Sequence, residues 1–219
     1  MSDVFDYAKY MLKQNLDTKR NTFDGNMKLQ KLLVFADLVS LAERGERLFE
    51  DEILAFEQGC VIEKVRLRYK NDCFSFVADS REFNPEFSQE EYDILNLTIA
   101  LFGNLSAREL SDINHAFTFW NTAYHKSIES DGFRDKNNAV VSVDAMCKDL
   151  DRVRDMIAAF RETQSENQAK EIINDVVFYY TPNDPELTDD ILTQLYRFSL
   201  SASERAYSIF LDNGSLVIC

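Results

Sequence analysis

The segment spanning residues 27–44 constrains this chain more than any other. Leu29, Leu32, Leu33, Ala36, Val39 and Leu41 or Ala42 recur at steps of three and four. That spacing places them along one side of an α-helix as a broad apolar stripe, which has to be buried against other elements. Gly45 follows directly, where a left-handed C-terminal cap is expected. The rest of the chain agrees with a helical fold. Only 6 Gly and 3 Pro occur in 219 residues, too few for the many tight turns of a β-sandwich. The 17 Phe and 9 Tyr supply ample bulk for a core.

Further helices are marked by their caps. Residues 3–14 carry Val4, Tyr7, Ala8 and Met11 on one face, and a polar stretch follows to Asn26. Ser88 precedes Glu91 by three residues, and Ser106 precedes Glu109 by the same step. Each pair has the form of a capping box, in which hydroxyl and carboxylate satisfy two orphan backbone N–H groups reciprocally. The first box opens a helix that Gly103 ends. A helix from Ser142 carries Val143, Met146, Leu150, Val153, Ile157 and Phe160, a heptad-like seam that fits packing on the chain's own core and permits a homo-oligomer. Residues 61–70 suit a short helix, and the alternation in Cys73-Phe-Ser-Phe-Val suits a short strand.

Past the polar run 161–170 the chain reads as an appended unit. Residues 161–219 hold four basic against ten acidic residues. A turn is expected at 181–185, Thr188 suits a helix cap ahead of Ile191, Leu192, Leu195 and Phe198, and Asn213-Gly214 between apolar runs predicts a β-hairpin. The expected fold is therefore mainly α: a compact helical domain with a short β element over residues 1–160, and an acidic α/β extension over 161–219 ending in a hairpin.

The net charge of −14 disfavours nucleic acid and anionic membranes, which need clustered Lys and Arg. A protein partner, and a basic one in particular, suits it better. No apolar run approaches the roughly 20 residues that span a bilayer, and the N-terminus lacks the basic and apolar regions of a secretory signal. The four scattered cysteines fit reduced thiols in a cytoplasm.

Motifs for catalysis are missing. The sequence has no Gly-rich phosphate loop, no Gly-x-Ser-x-Gly and no His-Glu-x-x-His. Cys60, Cys73, His115 and His125 match no zinc spacing, and no signature surrounds either cysteine as a nucleophile. The expectation is a binding protein with no cofactor rather than an enzyme, with a hydrolase using a Cys and His115 or His125 as the remaining catalytic option. Residues 105–115 suit the first helix of a helix-turn-helix, but Phe117-Thr-Phe-Trp-Asn lacks the side chains that read bases.

Three blocks carry a family resemblance. Lys28-Leu-Gln-Lys-Leu-Leu-Val-Phe-Ala-Asp37, the run from Gly45 to Gly59 containing Leu48-Phe49 and Ile53, and Leu105-Ser-Ala-Arg-Glu-Leu-Ser-Asp-Ile-Asn-His115 with Trp120 resemble, in order and spacing, the Panacea domain of SocA-like antitoxins. The resemblance covers about residues 5–160. Arg47 stands where that pattern commonly has Pro, Gly59-Cys60-Val61 replaces Gly-Pro-Val, and Phe119-Trp120 replaces Pro-Trp. The family implies a mainly helical fold and neutralisation of a toxin, encoded next door, by direct protein contact. Its members are paired with unrelated toxin types, and no catalytic residues carry over. An adaptor that delivers a partner to a protease, or a phage-encoded interaction module, is the alternative. Because aromatic residues concentrate in binding hot spots, His115, Phe119, Trp120, Tyr179, Tyr180 and Tyr207 are the candidate partner-binding residues, and the 161–219 extension is a candidate toxin-specificity element. His115 and Trp120 are also expected to pack on each other, with the indole N–H finding an acceptor.

Overall fold

The computed structural model describes residues 3–128, 132–166, 169–182, 185–212 and 214–219. Its centre is α2 (Phe23–Arg44), which Thr22 caps at one end and Gly45 closes at the other with φ +75°. The expected start was Met27; the helix begins at Phe23 because the Thr22 hydroxyl accepts the Gly25 N–H. Burial also differs from the expected stripe. From Met27 to Leu41 every residue of α2 is buried, on all sides of the helix. The polar residues among them are tolerated because their side chains reach backbone groups of neighbouring segments. Lys28 donates to the Gly103 carbonyl at 2.7 Å, Ser40 donates to Glu46 at 2.8 Å, and Asp37 accepts the Leu48 N–H at 2.8 Å.

Around α2 pack α1 (Val4–Lys13), α3 (Glu63–Glu82), α4 (Gln89–Phe102) and α5 (Ala107–His115). Both capping boxes form as expected. Glu91 serves twice, since it also accepts the buried Tyr7 hydroxyl and so ties the start of α4 to α1. A two-stranded antiparallel hairpin, β1 (Leu54–Phe56) and β2 (Gly59–Val61), sits against α2, α5 and α6 (Thr118–Lys126).

Two sequence expectations are corrected. Residues 73–77 are not a strand: α3 runs through them, with non-helical angles at Asp72. Cys73, Phe76, Val77 and Ser80 are the buried positions, at helical spacing, while Phe74 is 75 % exposed. The apparent alternation came from Phe74, an aromatic ring left in solvent. The helix from Ser142 is also broken, into α7 (Val143–Cys147) and α8 (Leu150–Glu166). The break places the Asp149 carboxylate where it accepts the Phe119 N–H at 2.9 Å, near the start of α6. Met146, Leu150, Val153 and Ile157 are buried in the core, whereas Val143 is exposed.

The chain divides into two compact units, Met1–Ile157 and Ala158–Cys219. In the second, β3 (Ala169–Ile173) and β4 (Val176–Tyr180) form an antiparallel hairpin. Its Asn174-Asp175 turn has positive φ at both residues, a signal between two apolar pairs that the sequence reading passed over. α9 (Asp189–Ser199), capped by Thr188 as expected, connects β4 to β5 (Ala206–Asp212), which pairs parallel to β4. β5 and β6 (Ser215–Ile218) make the expected terminal hairpin, with Gly214 at φ +80°. Asn213, and Asn183 and Asp184 of the expected turn at 181–185, lie outside the described residues. Val176, Phe178, Ile191, Leu195 and Ile209 form this unit's own small core.

Candidate functional site

The β1–β2 hairpin is short, and most of what holds it is side chain. Trp120 Nε1 donates to the Phe56 carbonyl at 2.9 Å, and the Ser111 hydroxyl donates to Gln58 at 2.9 Å. Lys31 Nζ donates to Cys60 at 2.8 Å. In the other sense, Asn114 Oδ1 accepts the Cys60 N–H at 2.7 Å, and Gln30 Oε1 accepts the Ile62 N–H at 2.9 Å. The three blocks recognised in the sequence thus meet at one place. α2 supplies Gln30 and Lys31, α5 supplies Ser111 and Asn114, α6 supplies Trp120, and the hairpin they grip belongs to the second block. Gly59, at φ +91°, is the point of closest approach. A Cβ there would lie 2.7 Å from both Asn114 Oδ1 and Lys31 Cε.

His115 and Trp120 pack as expected, with ring centroids 4.0 Å apart, and the indole finds its acceptor in Phe56. Tyr124 extends the stack from Trp120 at 4.9 Å, and the Arg134 guanidinium lies 4.0 Å over the Tyr124 ring. Burial lowers the His115 pKa, against an opposing hydrogen bond to the Glu57 backbone. Its Nε2 and Asn114 Nδ2 are buried without a hydrogen-bond partner among the described residues. Phe119 is fully buried and stacks on Phe117 at 5.2 Å, so it is a core residue with no surface to offer a partner. Tyr179, Tyr180 and Tyr207 are half-buried in the second unit, where the Tyr207 hydroxyl accepts the N–H groups of Ser203 and Glu204.

Lys31 is the electrostatic anomaly of the site. Its side chain is fully buried, and among the described residues no carboxylate lies within ion-pair distance. Burial pushes its pKa down to about 8, and the neighbouring Cys60 thiol up to about 12. A lysine depressed in the fold costs stability wherever it is charged, and that cost is relieved as pH rises above 8. Between pH 8 and pH 9 the stability of the wild type, measured against Lys31→Met by urea unfolding, is expected to grow by about 1 kcal/mol. A flat difference over that window would mean that the ammonium is compensated. Cys60 contributes alike to both proteins.

Beside the hairpin, between the start of α2 and α3, lies a cleft of about 540 Å³ with Lys31 among its lining residues. Among the described residues no cluster of three His, Cys, Asp or Glu is placed to hold a metal ion, and no helix is long and apolar enough to cross a membrane.

Residues 29–121 match the family described as antitoxin SocA-like, Panacea domain. The match opens one residue into the Lys28 block and closes one residue beyond Trp120, so it takes in the hairpin and the five side chains that grip it. No curated protein and no solved structure matches the chain.

Proposed function

We propose that this chain, whose residues 29–121 match the antitoxin SocA-like, Panacea domain family, is an antitoxin that binds and blocks a toxin protein encoded beside it. The family match carries this reading, because it covers the gripped hairpin, the helices α3, α4 and α5, most of α2 and the first turn of α6. The strong negative charge supports it in a second way. An acidic antitoxin would capture a basic toxin quickly through electrostatic steering. Action is by stoichiometric binding and needs no catalytic group. The acidic second unit adds contacts that select the toxin.

Co-expression tests this directly. The product of the neighbouring gene should arrest growth alone, and co-expression of the full chain should restore growth and co-purify the two proteins. The chain ended after Phe160, if it accumulates in soluble form, should rescue less well. Undiminished killing by every neighbouring product would refute the antitoxin reading. Rescue through a fall in toxin level, reversed on removal of cellular proteases, would instead make the chain a delivery adaptor.

A further inference from the structure

The cleft beside the hairpin has a basic lining within an acidic chain. Three cations, Lys31, Arg66 and Lys70, line it against one carboxylate, Glu57. Arg66 is held by Glu63 at 2.6 and 2.9 Å, with its guanidinium 5.5 Å over the Phe56 ring. Lys31 and Lys70 have no such partner among the described residues, and in Lys31 that leaves a wholly buried ammonium whose only hydrogen bond there is to a neutral carbonyl. A buried charge of this kind is costly without an anion to answer it. The walls are of a different nature. Phe23 stands at the cleft with 70 % of its surface exposed, unusual for a phenylalanine, and Phe56 and Met27 also line it. At about 540 Å³ the space suits a small molecule.

We propose that this cleft is a binding site for a small anion carrying a planar ring, whose carboxylate or phosphate pairs with the exposed Lys70 in the field of the buried Lys31 ammonium and whose ring packs on Phe23 and Phe56. This site is separate from the toxin-binding reading and does not depend on it. Lys31 and Gln30 also grip the hairpin, so an occupant would stiffen the element that the family blocks converge on.

The test is titration of the isotopically labelled full chain with four probes, followed by amide NMR. AMP carries a ring and a phosphate, indole-3-acetate a ring and a carboxylate, adenosine a ring alone, and inorganic phosphate an anion alone. At least one of the two ring-bearing anions should shift the amides of Phe23, Gly59 and Lys70 saturably, about tenfold more tightly than adenosine or phosphate. Which of the two does so identifies the anionic group. Phe23→Ala and Lys70→Glu alter exposed side chains and should leave the fold intact while weakening binding at least about fivefold. The proposal is overturned if neither ring-bearing anion gives saturable shifts at these amides up to about 1 mM, or if both substitutions leave the affinity unchanged.

Discussion

Gly59→Ala should destabilise the protein by about 3 kcal/mol, the sum of backbone strain and overpacking. The backbone there sits at φ +91°, where an L side chain is strained, and the added methyl would meet Asn114 and Lys31 at 2.7 Å. Neither neighbour moves freely, since each is fully buried and hydrogen-bonded to Cys60. Gly45 is the internal control. It has a similar φ of +75°, but a methyl there meets nothing within 4 Å. Gly45→Ala should therefore cost only about 1 kcal/mol of backbone strain. Urea unfolding of the two variants separates strain from close approach. Equal losses would show that the hairpin is not gripped as tightly as the distances indicate.

The second large effect is expected at Arg47. Its guanidinium binds the fully buried Asp37 carboxylate at 2.8 Å and also donates to the Asp51 carbonyl at 3.0 Å. Burial raises the Asp37 pKa above its ordinary value even though Arg47 and the Leu48 and Phe49 amides oppose it. Arg47→Met would strand that carboxylate, at a cost of about 3 kcal/mol at neutral pH. The sign of the pH dependence follows. The variant's Asp37 pKa rises further, so acidification neutralises the group and shrinks the deficit relative to wild type. Adding Asp37→Asn to Arg47→Met should recover much of the loss at neutral pH, because the amide oxygen still accepts the Leu48 N–H. A deficit that is independent of pH and unaffected by the second substitution would place the role of Arg47 in packing alone.

Arg47 belongs to a pattern. It is one of three positions where the Panacea pattern that this sequence resembles commonly has Pro. At the other two the restored backbone N–H is put to use. Cys60 donates to Asn114 Oδ1 and Phe119 donates to Asp149 Oδ2, and both acceptors are buried. A proline at either place has no N–H and would leave the acceptor unanswered. These two departures from the pattern that the sequence resembles are thus matched by acceptors elsewhere in the chain, one of them in the break between α7 and α8.

The sequence by itself determined the helices that carry their own instructions. Ser88, Ser106 and Thr188 cap helices where the sequence placed them, helices open directly after Asp3 and Ser142, and Gly45 closes α2. These are local effects, settled within one turn of the chain. The pairing of His115 with Trp120 was legible for a similar reason, since the two residues are close in sequence. The tertiary structure alone decided the rest. Whether Cys73-Phe-Ser-Phe-Val was strand or helix turned on which phenylalanine met the core, and Phe76 did while Phe74 did not. Lys28, Gln30, Lys31 and Asp37 lie outside the apolar stripe read from the sequence, yet they are buried because backbone groups 11 to 75 residues away meet them there. A side chain's partner at that separation leaves no periodic trace in sequence, because burial of a polar group is permitted by its partner and not by its own type.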